Sequence, residues 1–223
     1  LNVILPNLER LVIGGPLAPS QLYWDSFFDC LPSGLLELDM VRSRSVPLRY
    51  LVKVPKGLQA LGWSTPYLED DEDVLLIELL GLSSDLHAHD FPHVSSADFK
   101  PTLAALASKK TIFPPSLMRL NLNQVSFQPS LLYRFLPQTL DELRIWCTRE
   151  LMVGRIGCSE LPLGLKAFEL RWWLPSVDCS ELMHLPRSLT SLEMPNWFYT
   201  IRSEALATLP RSLKVLHAKL MHP

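Results

Sequence analysis

Apolar residues along the chain fall into a phrase, Leu-x-x-Leu-x-Leu with apolar substitutes, that returns about every 23 residues. It is read from Leu8, Leu35, Leu58, Ile77, Val94, Leu117, Leu140, Leu165, Leu189 and Leu213, and the Val94 copy is the weakest. The most explicit copies are "HLPRSLTSLEM" from His184 and "TLPRSLKVLHA" from Thr208. The fourth and sixth positions of the units read Leu11/Ile13, Leu38/Met40, Leu61/Trp63, Leu80/Leu82, Ala97/Phe99, Leu120/Leu122, Leu143/Ile145, Phe168/Leu170, Leu192/Met194 and Leu216/Ala218. All are apolar. The position between them is mostly polar or glycine: Asp39, Gly62, Gly81, Asp98, Asn121, Arg144, Glu169, Glu193 and His217. Residues two apart share a face of an extended chain. Each unit therefore predicts one short strand with a buried face and a wet face.

Proline reinforces the register. It stands three residues before the first Leu in seven units: Pro32, Pro55, Pro114, Pro137, Pro162, Pro186 and Pro210. In two more, Pro6 and Pro92, it stands two before. Proline cannot donate to a sheet ladder and has a fixed φ, so it suits the approach to a strand and not its middle. Between strands the chain must return in roughly 15 residues. The segments "PSLLYRFLP", "SELMHLP", "SEALATLP" and "PTLAALASK" predict a turn of helix after a Ser or Pro start.

These units resemble the leucine-rich repeat superfamily across essentially the whole chain, since the period lies inside its 20–29-residue window. The Leu-Pro-x-Ser-Leu-x-x-Leu-x-Leu form is similar to F-N-I-P-type repeats. "SFQPSLLYRFLPQTLDELRI" carries that pattern furthest, with Phe127, Gln128 and Pro129 ahead of "LPQTL". The resemblance implies an α/β solenoid, a right-handed leucine-rich repeat horseshoe of about ten coils. A parallel sheet would line its concave side, with short helices or irregular coil on the convex side. Residues 1–223 would form a single domain, a piece of something larger or capped by it. Many such repeats carry Asn eight residues after the first Leu. Here that column holds Pro16, Ser43, Pro66, Val125, Thr148, Trp173, Trp197 and Met221, so the turns must be satisfied otherwise, for instance by water. Bacterial ubiquitin ligases with similar units have a separate catalytic domain, for which too little chain is left here.

Composition narrows the function classes. The chain has 223 residues, 48% hydrophobic and 20% charged, with a formal net charge of −2. No global field favours nucleic acid or an anionic membrane. The longest apolar run, "VLLIELLGL", is far short of the roughly 20 residues of a membrane span and carries Glu78. The first residue is Leu, so an N-terminal piece is expected to be missing. Cys30, Cys147, Cys158 and Cys179 form no C-x-x-C pair and are read as buried or half-buried thiols. With no N-x-S/T acceptor, the balance tilts towards an intracellular location, cytoplasmic or otherwise.

Candidate chemistry is sparse. "DLHAHDFPH" gathers Asp85, His87, His89, Asp90 and His93, and His87, His89 and His93 are the candidate metal ligands. A solvated loop is the simpler reading. The acidic run "EDDED" from Glu69 to Asp73 lacks the glycine and spacing of an EF-hand and reads as a solvated loop or a dock for a basic partner. No Walker, G-x-G-x-x-G, H-E-x-x-H or G-x-S-x-G motif occurs. Neither enzymatic activity nor a cofactor is expected.

The wet strand face is the stronger signal. It offers Arg119, Asn121, Asn123, Glu142, Arg144, Trp146, Glu169, Arg171 and Glu193, and the aromatic Trp172 and Trp197 follow beyond the strand ends. Trp, Tyr and Arg dominate interface energetics. The expected function is non-catalytic binding of a protein partner of unknown identity through this face and its aromatic rim. The alternative for the charges is lateral pairing, Arg144 with Glu169 for instance. A structural subunit of a larger assembly is the competing class, and a metal-dependent hydrolase centred on the histidines is a third. The last unit lacks a polar cap, which predicts self-association or capping at the C-terminal end.

Overall fold

The computed structural model describes residues 7–15, 21–43, 46, 48–64, 113–125, 133, 135–147, 157–171, 179–194 and 206–218. Eight strands occur there: β1 (Arg10–Gly15), β2 (Glu37–Ser43), β3 (Ala60–Ser64), β4 (Arg119–Val125), β5 (Glu142–Cys147), β6 (Ala167–Arg171), β7 (Ser191–Met194) and β8 (Val215–Ala218). They form one sheet whose spatial order is the sequence order, and every neighbouring pair is parallel. The register places the fourth position of each unit opposite that of the next: Leu11, Leu38, Leu61, Leu120, Leu143, Phe168, Leu192 and Leu216 form one row across the sheet. This is the solenoid that the periodicity predicts.

Seven of the eight coils enter their strands through the same turn. The carbonyl of the proline accepts the N–H of the first Leu, three residues on, at 3.0–3.2 Å in all seven coils from Pro32 to Pro210. The proline thus serves as an acceptor at the one place where its missing N–H does no harm. The next two amides fork onto one carbonyl of the preceding coil, as Lys166 and Ala167 do onto Asp141 at 2.8 and 3.0 Å.

The serine of Leu-Pro-x-Ser-Leu has its own task. The hydroxyl of Ser188 donates to the carbonyls of Leu163 and Leu165 in the coil before it, both at 2.7 Å. Ser116, Thr139 and Ser212 bridge to their preceding coils in the same way. These hydroxyls satisfy carbonyls that the strand ladder leaves over, and they staple coil to coil.

The core is a continuous row of aliphatic side chains. Leu120, Leu143 and Leu192 are buried, and one hydrophobic cluster joins them to Leu38 and Leu61 towards the N-terminal end and to Phe168 between Leu143 and Leu192. Towards the N-terminal end the row thickens with aromatics. The helix α1 (Gln21–Asp29) supplies Trp24, Phe27 and Phe28, and Phe28 stacks on Tyr50 with centroids 4.9 Å apart. The indole of Trp63 reaches past them to donate to the Val46 carbonyl at 2.9 Å. Among the described residues the return segments carry short 3-10 helices at Leu48–Lys53, Cys158–Glu160 and Cys179–His184. "SELMHLP" therefore winds as 3-10 and not as α-helix. Its last bond runs from the Leu185 N–H to the Leu182 carbonyl at 3.2 Å, and Pro186 stands immediately beyond.

Strands β3 and β4 are hydrogen-bonded neighbours, with Ala60 opposite Arg119 and Ser64 opposite Asn123. The units read from Ile77 and Val94 lie outside the described residues, and no strand stands between β3 and β4. Eight coils of the expected ten are therefore seen.

Candidate interaction surface

The wet face of the sheet is built from the third, fifth and seventh positions of the units. On β5 and β6 it forms a linked cluster. Arg144 donates from Nε to Glu142 at 2.5 Å and lies 3.6 Å from Glu169 Oε2 on the neighbouring strand. Arg171 pairs with the same Glu169 through Oε1 and lays its guanidinium 4.2 Å over the ring of Trp146. Glu169 is only 7% exposed. Its charge tolerates burial because two guanidinium groups face it. The lateral pairing read from the sequence thus occurs, and it leaves Trp146 39% exposed at the upper edge of the cluster. An indole held flat by a cation and half open to water offers contact area at little entropic cost.

A second network spans β1 to β4. Glu37 sits between Arg10 at 3.3 Å and Arg119 at 3.5 Å, and Arg119 reaches it across the small Ala60. Asn123 donates to the Val41 carbonyl at 3.2 Å, also across β3. Towards the far end, Glu193 meets the imidazole of His217 at 3.6 Å.

The chosen candidates thus separate into groups. Glu142, Arg144, Trp146, Glu169 and Arg171 come together on two adjacent strands. Arg119, Asn121 and Asn123 belong with residues of β2 and β3 that the sequence reading passed over, Glu37 and Asp39 foremost. Glu193 stands apart with His217. Trp172, Trp197 and the histidines His87, His89 and His93 lie outside the described residues, as does the acidic run from Glu69 to Asp73. Among the described residues no three His, Cys, Asp or Glu side chains are grouped to hold a metal ion, and no helix is long and apolar enough to cross a membrane.

The wet face also has a hollow. A cleft of about 250 Å³ opens over Ala60 and Gly62, walled by Glu37 and Asp39 on one side and Arg119 and Asn121 on the other. It exists because β3 contributes no side chain beyond a methyl group there. A Cβ on Gly62 would collide with the carboxylate of Asp39 and lie 2.9 Å from Cγ2 of Val41. The signal was legible in the sequence: the only glycine in the described part of the fifth-position column is Gly62. A smaller depression of about 190 Å³ lies over Ala167 and Ser191, bordered by Glu142, Arg144, Glu169 and Glu193.

Burial governs the thiols beneath. It pushes both Cys147 and Cys158 up to about 12, so they stay protonated and inert near neutrality. The phenol of Tyr133, packed against Phe168, is pushed well up as well, again by burial.

No family model matches the chain, and no curated protein matches it. Among solved structures it is similar to the leucine-rich repeat-containing protein LegL7 from Legionella pneumophila, at 16% sequence identity over 92% of this chain and 70% of that one, with a TM-score of 0.44. The strand order and register given above define the fold class here: a leucine-rich solenoid with an all-parallel sheet.

Proposed function

We propose that the chain is a non-catalytic protein-interaction module that binds a protein partner across the wet face of its sheet. The observation that carries this reading is the arrangement at Trp146. On β5 and β6, where the neighbouring charges are mutually paired, one large aromatic side chain is partly exposed and is held in place by Arg171. Buried aromatic and arginine anchors ringed by polar contacts are the usual composition of an interface centre. Arg119, Asn121, Asn123, Glu142, Arg144 and Glu193 would form the surrounding rim, with Trp172 and Trp197 beyond it. The repeats are assigned, within the leucine-rich class, to the proline-led type resembling F-N-I-P repeats. The hydroxyl bridge from its serine supports that assignment by giving the Leu-Pro-x-Ser-Leu signature a structural use.

The test is capture of partners from a lysate by the intact chain and by a doubly substituted chain, Arg144→Ala with Trp146→Ala. Specific partners should be retained by the first and lost by the second. Equal retention by both would defeat the reading.

The C-terminal end supports a second reading, a subunit docked through that end. In β7 the apolar positions are buried, whereas in β8 Val215 and Leu216 are 40% and 37% exposed. Covering this end by a partner or a second copy would bury them. Light scattering should then report a species larger than the monomer, reduced by Leu216→Glu, and a well-behaved monomer would count against it.

A further inference from the structure

We infer that the cleft over Ala60 and Gly62 is a subsite for one arginine side chain of the protein partner. The inference rests on the docking face proposed above and specifies the chemistry of one contact on it. Space comes first. In the third and fifth rows β2 contributes Glu37 and Asp39, β4 contributes Arg119 and Asn121, and β3 between them contributes only Ala60 and Gly62. The result is a slot one strand wide. At about 250 Å³ it is smaller than the roughly 300–1,000 Å³ of clefts that enclose drug-sized ligands. It suits a single long side chain.

Charge decides which one. The cleft is lined by three carboxylates, Glu37, Asp39 and Glu142, and by two guanidinium groups, Arg119 and Arg144. Arg119 is answered by Glu37 and Arg144 by Glu142 and Glu169. Asp39 has no such answer. Its Oδ1 accepts the Val41 N–H at 3.0 Å, and among the described residues no cation meets the carboxylate. On the opposite wall the Asn121 Oδ1 is buried and accepts no hydrogen bond. Both walls therefore hold unmatched acceptors, while the basic groups are already engaged. An incoming anion would face Asp39 and Glu37. An incoming cation would meet the Asp39 carboxylate directly, and the Asn121 amide, whose oxygen is fully buried, would turn towards the cleft to supply the second acceptor.

A guanidinium fits that geometry better than an ammonium. Flanking strands two ladder steps apart are separated by roughly 9.6 Å. A planar group with five N–H donors in a fixed fork can address acceptors on two walls at once, whereas an ammonium is a point charge.

The experiment is an NMR titration of the intact chain with N-acetyl-arginine amide and with its neutral isostere, N-acetyl-citrulline amide. The arginine probe should move the Gly62 and Asp39 amides and the Asn121 side-chain amide, and should bind about tenfold more tightly than citrulline. Asp39→Asn keeps the shape and the bond to Val41, and should bring the two probes level. Asn121→Asp adds a charge on the other wall and should tighten arginine alone. Equal binding of both probes, no saturable shift at Gly62, or an arginine preference that survives Asp39→Asn would overturn the subsite. If Asp39→Asn fails to fold, the decision falls to Asn121→Asp, where an unchanged or weakened arginine affinity is the overturning result. Loss of the subsite with partner capture still sensitive to Arg144 and Trp146 removes this inference only. Binding of arginine with capture insensitive to those residues removes the docking reading and leaves the subsite.

Discussion

The guanidinium of Arg171 lies 4.2 Å from the ring centre of Trp146, on the strand next to it, while its Nε engages the buried carboxylate of Glu169. One arginine thereby fixes both the aromatic and the acid. Replacing Trp146 by Ala should cost about 1 kcal/mol of stability, because the fold loses the cation–π contact and the packing of an indole that is already 39% exposed. Partner affinity should fall far more, by about 2 kcal/mol or more if the indole is an interface centre. Thermal melts beside a binding isotherm would separate the two effects, and equal small losses in both would mean that Trp146 is a bystander.

The hydroxyl staples predict where the array can be strengthened. Gly164 occupies the staple position of its coil, and a Cβ there would lie 3.5 Å from the Gln138 carbonyl with no clash. By the pattern of Ser188, the hydroxyl of Gly164→Ser should bridge the Gln138 and Leu140 carbonyls. A net hydrogen bond contributes about 1 kcal/mol, so the melting temperature should rise by about 2–4 °C. Ser188→Ala should lower it comparably. The same pair of scans tests both.

Gly62 should behave in the opposite way. A methyl group at this position meets the Asp39 carboxylate and the Val41 side chain, so Gly62→Ala must displace Asp39 from its bond to the Val41 N–H. The expected loss is about 1–3 kcal/mol, typical of overpacking. Denaturant titration checks it, and a neutral result would show that Asp39 swings aside freely.

Removing a core leucine should act on its neighbours first. Leu143→Ala takes a fully buried side chain from the middle of the row and should cost about 2–5 kcal/mol. In a nearest-neighbour array the damage is felt most in adjoining repeats. Hydrogen exchange should therefore accelerate in β4, β5 and β6 before β1 and β8.

Alkaline pH supplies a test of burial. Cys147 and Cys158 are held up at about 12 in the folded chain, above the roughly 8.5 of an unfolded thiol. Below the unfolded value both states keep their protons and stability does not depend on these groups. Between there and about 12 the unfolded chain releases protons that the folded chain retains, so stability falls as pH rises. The slope is at most about 1.4 kcal/mol per pH unit for each thiol, and Tyr133 acts in the same direction. Replacing both cysteines by Ala should flatten the part that they contribute, measured as denaturation midpoints across that pH range.

Most of the fold could be read from the chain because a repeated phrase declares its own alignment. The row from Leu11 to Leu216 was fixed by spacing alone, and parallel strands in sequence order follow once each coil stacks on the last. The return segments were less legible. "SELMHLP" has helical composition, yet Pro186 and the short path back to the sheet leave room for only a 3-10 turn. The serine staple was visible as a Ser/Thr/Gly column before each first Leu, but its partners lie in another coil and sequence spacing does not announce them. At the candidate surface the lateral pairing of Arg144 with Glu169 was legible from the register of the units. The hollow at Gly62 was missed because the eye follows what side chains are present, and this feature is made by two that are nearly absent.

Because β3 and β4 pair directly, the ladder is continuous across the longest sequence gap between neighbouring strands. Loop closure grows only slowly with length, at about 0.6 kcal/mol for each doubling. The row of leucines thus crosses from Leu61 to Leu120 as evenly as between any other two coils, so the spine holds its step where the sequence does not.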